Sequence, residues 1–213
     1  MKGIVIKKDN KAVEKANLLL KKSLRKGDII LTGPIPKNFF FKYFNLICIV
    51  TRKVLRGITH SCLYLGGGYV FEIDHKIIRK GNDMEKITLK KLIKNKVENF
   101  GGVIIWVVQP KRYTLKHRNL VVKETINNFL NKSKYIAFSY FESIKVGMRF
   151  FFQRNKYVKE ELKFREKWNC SHLVAYILKK SRVPIGKRTS YTFLPCTFVF
   201  SKHFKVKKKV ILK

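Results

Sequence analysis

Apolar residues recur along this chain with two different periods, and the alternation between them lays out its elements. Over residues 10–22, Val13, Ala16, Leu19 and Leu20 fall three and four positions apart, which predicts an amphipathic helix. Gly27 and Asp28 then lead into an unbroken apolar run, Ile29, Ile30 and Leu31, which Gly33, Pro34 and Pro36 bring to an end; this reads as a short buried strand. Residues 39–56 carry five aromatics interleaved with Lys42, Arg52, Lys53 and Arg56, the pattern of a helix with one apolar and one basic face. Such a face packs on its own core, lies on an anionic membrane or stacks on nucleic acid, and all three readings stay open. Residues 87–96 predict a short basic helix, and 102–109 (GVIIWVVQ) a central strand closed by Pro110. Over 119–132, Leu120, Val121, Thr125, Ile126, Phe129 and Leu130 share one side, a second amphipathic helix. Residues 135–152 are aromatic without a period, and 156–167 are charged and expected to be exposed.

The stretch 59–74, THSCLYLGGGYVFEID, alternates as a strand hairpin. His60, Cys62 and Tyr64 point one way, Ser61, Leu63 and Leu65 the other, and the three glycines 66–68 supply the turn. An odd-numbered loop centred on Gly66 sets His60 opposite Glu72 on a shared face, so that the carboxylate orients the imidazole. A two-residue turn at Gly66 and Gly67 rotates Glu72 to the other face. Register decides the chemistry.

The stretch 168–180, WNCSHLVAYILKK, predicts a helix opening at Cys170. Asn169 is a favourable N-cap, Leu173/Ile177 and Val174/Leu178 are apolar pairs four apart, and Lys179 and Lys180 close the last turn. A thiol at the positive end of the helix dipole is biased towards thiolate, and a neighbouring imidazolium biases it further.

Composition narrows the picture. A chain of 213 residues, 46% of them hydrophobic, suits one domain over 1–213. Its formal charge of +35 points to an anionic neighbour, a membrane surface or nucleic acid, or else to a lysine-biased composition on a solvated surface, since the lysines are scattered. Cys48, Cys62, Cys170 and Cys196 form no CxxC pair, so a disulfide framework is not expected. The opening MKGIVIKKDNK is too short in apolar residues for a secretory signal, and the run 39–50 is broken by Lys42 and too short to span a bilayer. The expected location is cytoplasmic or virion-associated, or peripheral to a membrane.

A buried structural cysteine is the plain alternative for Cys170. Zinc held by His60, Cys62, Cys170 and His172 is another, but positions two apart on a helix diverge by roughly 200°, which disfavours the metal and equally removes His172 as a base for Cys170. His75, His117 and His203 read as surface residues. No metal or cofactor is called for.

Taken in order, GDIIL, THSCLYLGGGYVFEID, NCSHLVAYIL and FLPCTF resemble the circularly permuted branch of the NlpC-type papain-like superfamily, the YaeF/YiiX group with its poxvirus relatives. The chain order histidine, acidic residue, cysteine is that of this branch. The resemblance implies an α+β, papain-like, permuted fold: an antiparallel sheet packed against helices, the nucleophile at a helix N-terminus, a core over about 24–205 and an N-terminal helix at 10–22. Matched residue by residue, it implies Cys170 as nucleophile, His60 as catalytic histidine and Glu72 as third member. It departs from the family where His172 replaces the usual Glu or Gln and where Cys62 replaces a small or aliphatic residue. The implied activity is a thiol hydrolase acting on a peptide, cell-wall peptide, lipid-linked amide or ester through an acyl-enzyme. The similar spacing of lecithin-retinol acyltransferase-like enzymes brings in lipid-directed acyl transfer. A catalytically idle basic protein on anionic membrane or nucleic acid is the third reading.

Overall fold

A computed structural model describes residues 3–7, 9, 11–35, 57–73, 84–131, 137–138, 167–186 and 193–213. The basic aromatic stretch 39–56 lies outside them, as do nearly all of 135–152 and 156–167. The described part is α+β: a seven-stranded mixed sheet with helices on both faces.

In chain order the elements are β1 (Ile4–Ile6), α1 (Ala12–Lys21), β2 (Ile29–Pro34), β3 (His60–Gly66), β4 (Tyr69–Ile73), β5 (Met84–Thr88), α2 (Leu89–Phe100) and β6 (Val103–Pro110). There follow α3 (Leu115–Thr125), prolonged by a wide turn at Ile126–Leu130, the short pair β7 (Ala137–Phe138) and β8 (Lys167–Trp168), α4 (Cys170–Lys180), α5 (Thr197–Phe200) and β9 (Phe204–Leu212). The sheet runs β1-β9-β6-β2-β3-β4-β5, and β7 pairs with β8 separately. All neighbours in the large sheet are antiparallel except β1 and β9. The expected all-antiparallel sheet is therefore corrected to a mixed one, because the amino-terminal strand docks alongside the carboxy-terminal one.

Alternation along the strands divides the core in two. Ile29, Leu31, Leu63, Phe71 and Val108 meet α3, α4 and α5 on one face. Ile30, Cys62, Tyr64, Val70 and Val107 meet α1 and α2 on the other. The predicted helices appear, with shifted ends. The basic one starts at Leu89 because Thr88 caps it, its hydroxyl accepting from the Lys91 N–H at 3.1 Å. Residues 84–88 ahead of it instead form a strand, with Met84 and Ile87 buried. The helix expected at 119 begins at Leu115, where the Thr114 hydroxyl and the His117 ring reciprocally cap the first turn. The core also reaches beyond 24–205: Ile6, Ala16, Leu20, Val210 and Leu212 are all buried in it.

One buried ionic cluster ties these layers together. Asp28, fully buried, accepts from Arg118 Nη1 at 2.7 Å, from Lys207 Nζ at 2.6 Å and from the Arg25 N–H at 2.9 Å. Arg118 also donates to the Lys26 carbonyl and to Gln109, both at 2.9 Å, and lies over the Tyr113 ring. The carboxylate thus joins β2, α3 and β9. Asp28→Asn leaves a buried guanidinium with a neutral partner, so thermal unfolding should drop by about 10 °C, from a loss of roughly 3–5 kcal/mol; a calorimetric scan checks it.

Candidate active site

The turn of the β3–β4 hairpin matches neither register considered from sequence: it has two residues and falls one position later than a Gly66–Gly67 turn. Gly67 and Gly68, both at positive φ (61° and 84°), join Gly66 to Tyr69, the geometry for which glycine is needed. The ladder then shifts between Tyr64 and Gly66, so that Tyr64 faces Val70 and Leu63 faces Phe71. The bulge restores even parity. Continued by one residue beyond Leu63 and Phe71, this register sets Glu72 beside Cys62 and diagonal to His60, on one face of the pair. The diagonal suffices: His60 Nε2 and Glu72 Oε2 are 2.8 Å apart, both residues being buried.

His60 is the first residue of β3 and pairs with Thr32 near the end of β2. Its ring is therefore at the end of the ladder, where both layers approach it. From the α1/α2 side come Glu72 and Lys96, a buried lysine of α2 whose charge acts on the imidazole. From the α4 side comes Cys170. Asn169 caps α4 as predicted: its side-chain oxygen accepts from the His172 N–H at 2.8 Å, and its carbonyl from the Leu173 N–H. The Ser171 hydroxyl anchors the same turn to the Phe193 carbonyl at 2.6 Å. Cys170, 6% exposed, thus opens a helix packed on β3, close enough to His60 for each to act on the other's ionisation. With Nε2 committed to Glu72, Nδ1 is the ring nitrogen left for a proton-transfer partner.

Burial pushes the Cys170 thiol up, but the hydrogen bond and charge of His60, aided by the backbone and hydroxyl of Ser61, outweigh it and hold the thiol below its ordinary value. For His60, burial and the Lys96 charge push the ring down; its bonds to the thiol and to Glu72, and the thiolate charge, prevail and raise it to about 9. The two shifts favour a thiolate–imidazolium pair.

The structure brings together all three residues singled out from sequence, Cys170, His60 and Glu72. The zinc alternative fails on placement: Cys62 is in the α1/α2 layer with its thiol directed to the Ile30 carbonyl, whereas His172 packs on the Trp168 ring at 4.5 Å in the α4 layer. Among the described residues no group of three metal-ligating side chains converges. Sequence reasoning missed Ser61 and Lys96. Ser61 follows His60, faces α4 through its pairing with Leu31, and is 1% exposed. Its only sequence signal was that strand parity. Lys96 had none, being one lysine among many. The chain matches no family model, no curated protein and no solved structure.

Proposed function

We propose that this protein is a thiol hydrolase of the circularly permuted papain-like kind, cleaving an amide or ester through an acyl-enzyme on Cys170. The observation that carries this reading is a helix-opening thiol packed against a histidine whose far nitrogen is 2.8 Å from a buried carboxylate. The Cys170 sulfur attacks the carbonyl carbon while His60 holds the proton taken from it. His60 then delivers that proton to the leaving amine or alkoxide as the carbon–heteroatom bond breaks. Water, deprotonated by the same ring, attacks the thioester and releases acid and thiol. Glu72 keeps the imidazole oriented and favours its charged form.

The oxyanion forms beside the start of α4. Asn169 already engages the N–H groups of His172 and Leu173, so those of Cys170 and Ser171 are the donors at the open end of the helix. The test is trapping: with an activated ester, mass spectrometry should place a single acyl group on the Cys170 peptide. An adduct on Cys62 or Cys196, or none with any of a panel of esters and amides, defeats the proposal.

The buried Ser61 hydroxyl adjoins the thiol and helps to hold it below its ordinary value. Ser61→Ala should lower the acylation rate by about tenfold, and should move the alkylation profile of Cys170 to higher pH. Single-turnover kinetics and the alkylation profile together check both effects.

A further inference from the structure

The opposite edge of the sheet carries features that the thiol site does not use. β1 is an edge strand, and α1 runs beside it on the surface. Between them opens a cleft of about 510 Å³ lined by Val5, Leu18 and Leu19 together with Lys7, Lys15 and Lys22. Leu18 is 53% exposed, and on the edge strand Val5 is 52% and Ile4 39% exposed, the latter two on opposite faces of β1. Lys11 and Lys21 are exposed on the same helix region. The one carboxylate in the lining, Asp9, is matched by Lys15 at 2.8 Å, which leaves Lys7 and Lys22 without an acidic partner among the described residues of the lining.

We propose that this β1–α1 edge docks on an anionic lipid surface, with Val5 and Leu18 entering the apolar boundary and Lys7 and Lys22 meeting headgroup phosphates. Aliphatic insertion with a lysine rim is the chemistry of interfacial binding. A single-stranded nucleic acid calls for aromatic platforms or arginine, and the cleft is lined by neither. A second copy of the chain would bring like charge against like charge, on a protein carrying +35 overall. In sheet order β1 stands four strands from β3, roughly 19 Å at the usual strand spacing, so docking here is independent of the thiol chemistry.

Flotation of the full chain with phosphatidylcholine vesicles, with and without phosphatidylserine, tests the proposal. Binding is expected only with phosphatidylserine. Val5→Ser/Leu18→Ser should weaken it by about tenfold or more, and Lys7→Glu/Lys22→Glu by at least as much. Leu18→Gln alone, at an exposed helix position, should still weaken it measurably, and circular dichroism confirms that each variant is folded. Lys111→Glu/Lys116→Glu removes the same charge from exposed positions elsewhere and should bind like the parent. The proposal is overturned if that control loses as much binding as Lys7→Glu/Lys22→Glu. It is equally overturned if the serine variant binds unchanged, or if the chain ignores both vesicle types and the cleft variants lose retention on an oligonucleotide or an acidic protein instead.

Discussion

His60→Ala is expected to slow acylation at neutral pH by about 10²–10⁴-fold, the usual span for removing a general acid–base. Two effects combine in that loss. On the proposed mechanism, the imidazole no longer accepts the thiol proton or returns it to the leaving group. The thiol itself also becomes harder to ionise: burial, the largest influence on Cys170, raises its pKa, and the His60 hydrogen bond and charge that outweigh it are gone. The variant's alkylation profile should therefore move above that of the parent, not merely back to that of an exposed cysteine. Stability follows with a defined sign. A raised histidine contributes in full below its unfolded value and loses that contribution as pH climbs through about 9. A lowered thiol contributes above its unfolded value and loses that contribution as pH falls through the folded one. Because the two shifts share one ion pair, which exists only while His60 is protonated and Cys170 ionised, the stability gap between parent and His60→Ala should be widest between the lowered thiol value and about 9, and should narrow on both sides. Thermal scans across that range, beside the single-turnover rates, check the pair of effects.

Cys170→Ser should reduce turnover of whichever ester or amide is accepted by on the order of 10⁴-fold or more. Serine preserves the volume, so the residual rate reports chemistry and not collapse of the helix end. The hydroxyl ionises too weakly to form an ion pair with His60, which removes the charge that raises the ring. The same variant should accordingly show a His60 pKa below about 9, readable by NMR titration of the imidazole. Loss of turnover with an unmoved histidine would separate nucleophile from base.

Much of this arrangement was legible in the sequence because it depends on local rules. Asn169 before an apolar pattern at four-residue spacing gave the start of α4, and with it the place of Cys170. Strand parity put His60 and Glu72 within reach once the loop closed with even parity. What parity could not supply was the turn: three successive glycines allow several tight closures, and the bulge that chose among them is a property of the folded ladder. β9 stayed hidden for a different reason. Its FKVKKKVIL shows apolar alternation only at its ends, and its lysines are tolerated because that part of β9 pairs with β6 alone and their long stems cover neighbours: Lys207 reaches Asp28 and Lys209 lies over Trp106. The parallel docking of β1 on β9 joins chain ends about as far apart in sequence as the chain permits, and no local pattern encodes it.

The ionisation of one sulfur tests the account most directly. Alkylation of Cys170 with a neutral reagent should be followed across the pH range, with its peptide resolved by mass spectrometry from those of Cys62 and Cys196. The account predicts a thiolate already present below the ordinary cysteine range, with a profile that rises sharply in pH when His60 is replaced by alanine. A thiol that titrates at or above the ordinary value and responds to neither His60→Ala nor Glu72→Gln would contradict it.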